Sequence, residues 1–146
     1  MTRCSTLGLP TAAAISWLLL GVAASAADSY KVVVNSANPV TSLGRKEVSA
    51  LFLRRTVRWA DGTPALPVDG PDSPVRDGFS KDVHGKKTAA VRSYWLQVIF
   101  SGRGVPPPEK ASDKEVIAYV EAHRGSIGYV SAATATDDVK ALKVTP

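Results

Sequence analysis

The residue types best suited to binding chemistry lie between Asp69 and Arg76, where a loop containing Gly and Pro runs into a predicted helix. Ser73 is a favoured N-cap residue, and Pro74 suits the first helical position. The first amides of a helix have no partner within it, and the helix dipole favours negative charge there. The Ser73 hydroxyl, the amides of Val75 and Arg76, and a charge-assisted hydrogen bond from the Arg76 side chain would form an anion site. The alternative is that Ser73 only caps its own helix.

Arg103 is the second candidate for anion binding, within Ser101-Gly102-Arg103-Gly104. Its flanking glycines allow the backbone to approach a ligand closely, and the guanidinium fork matches phosphate or carboxylate. Gly-Arg-Gly is also common in plain turns, so an exposed loop without a ligand remains the alternative.

Catalysis and metal binding have little support in the composition. The chain has 146 residues, with one cysteine and two histidines. This excludes a disulfide framework and a cysteine-rich zinc site, and it leaves little room for a histidine-based metal site. The sequence contains no His-x-x-x-His pair, no Gly-x-Ser-x-Gly elbow and no nucleophile with an evident base. His84 and His123 lie near predicted helix C-termini, where the dipole favours a cation. We therefore expect a protein that is not an enzyme and has no cofactor or resident metal.

A mild positive charge accompanies these candidate residues. Lys and Arg number 18 against 13 Asp and Glu, which gives a net charge of +5. Arg54, Arg55 and Arg58 form one basic cluster. Nucleic acid is the sharpest interpretation of such a cluster, but predicted export makes it a poor one. A solvated face, or attraction to an anionic partner or membrane surface, fits the mild charge better.

The first 26 residues have the pattern of a secretory signal peptide. Arg3 precedes an apolar stretch at 11–22, and Ala24-Ser25-Ala26 places small residues at the cleavage positions. The apolar stretch is short for a membrane anchor, which needs roughly 20 residues. We expect cleavage after Ala26 and a single domain at 27–146, located in a bacterial periplasm.

Strands and helices alternate along the predicted domain. Valines after Tyr30 are typical of a strand buried on both faces, and Ser112 with Glu115 forms a capping box before an apolar stripe. Asp61-Gly62 indicates a hairpin turn, and Pro67 places the return strand at a sheet edge. Strands are predicted at 30–35, 127–130 and 139–144, a hairpin at 56–69, and helices at 45–53, 74–84, 88–100 and 113–124. This order predicts an α/β fold, a three-layer sandwich with a small mixed sheet flanked by helices.

Several stretches together resemble the phosphate-binding proteins of ABC transporters, as a short branch of that family. They are LGRKEVSALFL at 43–53, RWADGTP at 58–64, DSPVRDGFS at 72–80, YW at 94–95 with FSGRG at 100–104, and GSIGYV at 125–130. The resemblance covers nearly all of residues 27–146. In the family a helix begins at a Ser-Gly-Thr motif. Ser73 matches the serine, whereas Pro74 and Val75 replace the glycine and the threonine.

The resemblance implies one lobe of a type 2 periplasmic binding protein, whose full-length members close two α/β lobes on phosphate. It also implies a solute-binding module for phosphate or a similar oxyanion, linked to uptake or sensing, with Ser73, Val75, Arg76 and Arg103 as the ligand-binding residues. A single lobe needs a second chain to enclose a ligand, so a homodimer or a membrane transporter or sensor is the expected partner. The alternative is an interaction module that keeps the fold, has lost the ligand, and docks on a membrane sensor, porin or transporter.

Overall fold

A five-stranded mixed sheet forms the centre of the structure, a computed structural model that describes residues 29–146. The predicted signal segment at 1–26 lies outside the described residues. The strands are β1 (Tyr30–Val34), β2 (Ser42–Gly44), β3 (Leu66–Pro67), β4 (Ser126–Ser131) and β5 (Lys140–Thr145). They lie in the order β2-β5-β1-β4-β3, with β1 antiparallel to both neighbours and the two edge strands parallel to theirs. The mixed sheet that the sequence predicts is confirmed.

Helices cover both faces of this sheet. They are α1 (Arg45–Phe52), α2 (Pro74–Phe79), which continues as a π-helical turn (Ser80–His84), α3 (Thr88–Phe100) and α4 (Asp113–Ala122). Val32 and Val34 of β1 pack in the core on the side of α1 and α2, whereas Val33 packs with Val116 and Val120 of α4 on the other. The alternating directions of successive strand residues thus give two cores and three layers, as predicted.

An aromatic group fills the larger core beneath α2. The rings of Phe79 and Tyr129 stack with centroids 4.0 Å apart, and Phe52 meets Phe79 edge to face at 4.9 Å. All three side chains are buried. Because Tyr129 belongs to β4 and Phe79 to α2, this stack fixes the helix start relative to the sheet.

Local caps define the helix starts as the sequence suggests, with one difference. The Gly44 amide donates to Glu47 Oε2 at 2.7 Å, and Ser112 Oγ accepts from the Glu115 amide at 3.2 Å. Glu115 Oε2 accepts from the amide of Ala111, one residue before the N-cap. The reciprocal half of the predicted capping box is therefore shifted by one residue.

The predicted hairpin at 56–69 is wrong. The Asp61-Gly62 turn forms, but the described segment contains a single antiparallel bridge, between Arg58 and Pro64. The residues after the turn instead pair parallel with β4, 60 residues later in the sequence. The amides on either side of Pro67 donate to β4, at 2.9 Å each. Pro67, which has no N–H to donate, faces the open edge, and this confirms its predicted edge position.

None of the helices within residues 29–146 is long and apolar enough to cross a membrane.

Candidate functional site

The start of α2 has the capped geometry that the sequence predicts. Ser73 is extended, and its Oγ accepts from the Arg76 amide at 3.4 Å, while its carbonyl accepts the first helical bond from the Asp77 amide at 3.1 Å. Pro74 occupies the first helical position. Ser73 therefore caps its own helix, but a hydroxyl has one proton and two lone pairs, so it can serve a second partner.

The Arg76 side chain turns back under this helix start and is buried, with 5% of its surface exposed. Its Nη2 donates to Asp69 Oδ2 at 3.1 Å and to Glu109 Oε1 at 2.8 Å, and its Nη1 donates to the Gly70 carbonyl at 3.3 Å. These bonds use three of the five guanidinium N–H groups. The cation predicted to bind an anion thus already has two carboxylate partners.

Two long-range contacts position Asp69 beside Arg76. The Asp69 amide and carbonyl bond to Pro108 and Lys110 on either side of Glu109, which brings the 108–110 segment alongside the end of β3. The Tyr129 hydroxyl, which comes from the adjacent strand β4, donates to Asp69 Oδ1 at 2.6 Å. The four polar side chains Asp69, Arg76, Glu109 and Tyr129 form what we call the Arg76 network.

Burial dominates the electrostatics of the Arg76 network. It raises the pKa of Asp69 because removing the carboxylate from water costs more than Arg76 and Tyr129 return. Burial also raises the pKa of Tyr129, and the neighbouring Asp69 charge adds to it. For Arg76, burial acts to lower the pKa, but the Glu109 hydrogen bond and the Asp69 charge outweigh it, so the pKa is raised. Arg76 therefore remains charged, while Asp69 is the group that a change in pH can reach.

A cavity of about 310 Å³ opens beside the Arg76 network. Its polar side carries Asp69, Arg76, Glu109 and Arg92, of which Arg92 pairs with Asp72 at 2.9 Å on the surface. Its apolar side consists of side chains from α3 and the following loop, namely Val91, Trp95, Leu96, Ile99 and Pro106. The volume would accommodate a small oxyanion beside the arginines, with three carboxylates close by.

The structure does not bring Arg103 together with Ser73, Val75 and Arg76. Arg103 is exposed in the loop after α3, where its Nε donates to Ser101 Oγ at 2.8 Å. It lines a separate cavity that shares only Trp95 with the cavity beside Arg76. The predicted ligand residues thus divide between two places.

The expectation of a cationic His84 is wrong. The ring packs against Phe79 and Phe52, and its Nδ1 lies 2.8 Å from Ser49 Oγ. Burial, helped by the positive charge of Arg55, lowers the pKa of His84 to about 4. The preference of a helix C-terminus for a cation is weaker here than the cost of desolvation. No group of metal-ligating side chains occurs among the described residues 29–146.

Sequence reasoning missed Glu109 and Tyr129. Glu109 follows three prolines in a loop, and Tyr129 lies in a strand whose neighbours are all buried, so each resembles an ordinary structural residue. The signal that could have found Tyr129 is its hydroxyl, because a buried phenol usually needs a hydrogen-bond partner. Nothing local marks Glu109.

The structure is similar to solved phosphate-binding proteins. A protein from Clostridium perfringens assigned to the phosphate ABC transporter substrate-binding proteins, solved with bound phosphate, matches at TM-score 0.63 and 21% identity over 80% of this chain and 44% of its own. An ABC-type phosphate transport receptor from Vibrio cholerae matches at TM-score 0.62 and 21% identity over 80% and 46%. A possible phosphate-binding protein from Planctomyces limnophilus matches at 0.60 and 16% over 80% and 41%. No family model and no curated protein sequence matches the chain.

The chain spans somewhat less than half the length of these structures. At such identities the likeness concerns the fold. The five-stranded sheet with helices on both faces has the α/β fold of part of a phosphate ABC transporter substrate-binding protein, as the sequence resemblance implies.

Proposed function

We propose that the chain is a non-enzymatic solute-binding module of the bacterial periplasm, with phosphate or a similar oxyanion as its solute. The observation that carries this proposal is the likeness, over 80% of the chain, to structures described as phosphate-binding proteins. The predicted signal peptide supports export. The described residues include no metal-ligand group, and the proposal needs none.

Ser73, the Val75 amide and Arg76 would hold the oxyanion at the start of α2. The helix here has only six residues before the π-helical turn, so its dipole adds little, and the side chains must do most of the binding. By count, Arg76 retains two N–H groups that its three observed acceptors do not use. Arg103, which lies in the separate cavity, would contribute to this site only if its loop moved.

Carboxylates close to the site favour a protonated oxyanion. Asp69 and Glu109 repel a fully ionised anion but can accept a hydrogen bond from an oxyanion that still carries a proton. Phosphate carries such a proton near neutral pH, and sulfate does not. We therefore expect phosphate to bind more tightly than sulfate, with modest affinity because a single lobe leaves the ligand largely hydrated.

A second lobe, supplied by another chain, would raise that affinity by enclosing the solute. The solved neighbours are about twice as long as this chain, and two of them are named for ABC transport. A membrane transporter or sensor is therefore the partner we propose. A second copy of the chain is the other arrangement that would supply a lobe.

Calorimetric titration of the purified protein with phosphate at low salt, with sulfate as the comparison, tests this function. Saturable phosphate binding that weakens in Ser73→Ala supports the site, and Ser93→Ala on the exposed face of α3 is the matched serine control. Arg76→Lys keeps the charge and removes the fork, so it tests the guanidinium with less damage to the buried ion pairs. Absence of heat and of any shift in melting temperature at millimolar phosphate would refute binding by the isolated chain.

One observation favours the alternative of an interaction module that has lost the ligand. Arg76 is held by two carboxylates, which satisfy its charge without any solute. In addition, α3 exposes Leu96, Ile99 and Phe100, the last with 87% of its surface accessible. A folded protein that binds neither phosphate nor sulfate would favour docking over solute binding.

A further inference from the structure

A second cavity, of about 320 Å³, lies between the C-terminal ends of α1 and α3. Each of these helices ends in the same hydrogen-bonded motif. At the end of α1 the amides of Arg54 and Arg55 bond to the carbonyls of Leu51 and Ala50. At the end of α3 the amides of Gly102 and Arg103 bond to those of Ile99 and Val98. Both closures are Schellman motifs, and both leave an arginine at the rim of one cavity.

Arg54 occupies a backbone position that normally belongs to glycine. Its φ is +53°, and it is the one non-glycine residue with a positive φ among residues 29–146. At the corresponding position after α3 the chain uses Gly102, with φ +67°. A side chain at this position costs free energy that glycine avoids. Strain of this kind collects where a side chain is needed for binding, and here it places a guanidinium at the cavity.

The floor of the cavity is apolar and fixed. It is formed by Tyr94, Trp95 and Val98 of α3, and the Tyr94 hydroxyl is held by the Leu53 carbonyl at 3.1 Å. Val57 and Val105 complete the walls with 52% and 66% of their surfaces exposed. An aromatic floor with exposed aliphatic walls offers burial to a flat apolar group.

The charges around this cavity are all positive. Arg54 and Arg103 are its charged lining residues, and neither is in an ion pair within the described part of the chain. A neighbouring cavity on the other side of Tyr94 adds Arg55 and Lys86. From His84 to Pro108 the sequence contains no Asp or Glu. A second copy of the chain would bring the same positive face against this one, so it is a poor occupant.

We propose that this cavity is a binding site for a small amphiphilic organic anion, one with a carboxylate attached to an aromatic or other flat apolar body. Arg54 and Arg103 clasp the carboxylate, and the apolar body lies over Tyr94, Trp95 and Val98. A small inorganic anion gains little here, because the floor offers it no hydrogen-bond donor. The site is separate from the Arg76 network, and the proposal does not depend on phosphate binding.

Calorimetry with 2-naphthoate tests the proposal on the purified protein. The neutral isostere 2-naphthamide tests the need for charge, and acetate tests the need for the apolar body. We expect saturable binding of 2-naphthoate, at least tenfold weaker binding of both comparison compounds, and no competition from inorganic phosphate. Absence of 2-naphthoate binding at millimolar concentration, or equal binding of the amide, would overturn the proposal.

Arg54→Gly separates binding from stability. Glycine relieves the strained backbone, so the variant should melt a few degrees higher than the wild type. It should also bind 2-naphthoate about tenfold more weakly, as should Arg103→Ala, because each loses a charge-assisted hydrogen bond. Arg58→Ala is the matched control, since Arg58 is exposed in the same basic cluster, bonds to the Gly62 carbonyl and does not line the cavity. Unchanged affinity in both Arg54→Gly and Arg103→Ala would also overturn the site.

Discussion

Acidification should destabilise this fold through His84, by an amount that the structure allows us to estimate. The imidazole is packed against Phe79 and Phe52, with Ser49 and Arg55 as its polar neighbours. Its pKa falls from 6.5 to about 4 on folding. Between these values the unfolded chain binds a proton that the folded chain does not, so stability falls as the pH is lowered through that window.

The shift corresponds to a loss of about 2 kcal/mol between pH 7 and pH 5, and about 3 kcal/mol when titration is complete. Urea unfolding followed by circular dichroism at half-unit pH intervals measures it. His84→Gln is the informative comparison, because glutamine keeps an acceptor for Ser49 and does not titrate. The raised pKa of Asp69 acts in the opposite direction but is common to both proteins, so it cancels in the difference. Equal pH slopes for wild type and His84→Gln would refute a desolvated, neutral His84.

Three further substitutions test the buried contacts. Arg76→Gln leaves the Asp69 carboxylate without its cation and should cost about 3–5 kcal/mol in urea unfolding, with part restored by adding Asp69→Asn. Tyr129→Phe removes the 2.6 Å bond to Asp69 and should cost about 1–3 kcal/mol in the same assay, while a loss near zero would show that water replaces the phenol. Gly128→Ala puts a methyl group 2.8 Å from Val116 and should lower stability by about 1–3 kcal/mol, visible as a lower melting temperature; unchanged melting would mean that the α4 interface yields freely.

Local signals in the sequence were sufficient for most of the elements. The valines at 32–34 predict a strand buried on both faces, and α3 begins and ends where its apolar spacing indicates. Ser73 and Ser112 mark helix starts because the capping interaction lies within four residues of the cap. Interactions confined to one turn of chain can be predicted from one turn of sequence.

Interactions between distant residues were not predictable in the same way. The Asp-Gly turn forms as expected, yet the following segment pairs with β4, since a parallel partner 60 residues away leaves no local trace. Arg76 was found as a candidate ligand, but its pairing with Glu109, 33 residues later, was not. The same holds for Arg54 and Arg103, whose shared cavity depends on how two helix ends meet. A cation identified from sequence has no known partner until the fold supplies one.

The place of β1 in the sheet has a consequence for the order of folding. The first strand of the described chain lies between β4 and β5, the last two to be synthesised. Its backbone groups and its buried valines have no sheet partner until residues 126–145 are available. The central ladder therefore closes only after synthesis of the domain is nearly complete, and such long-range closure is slow compared with helix formation. A chain of this topology remains unfolded while it is being made, which is the state that transport through a narrow channel requires.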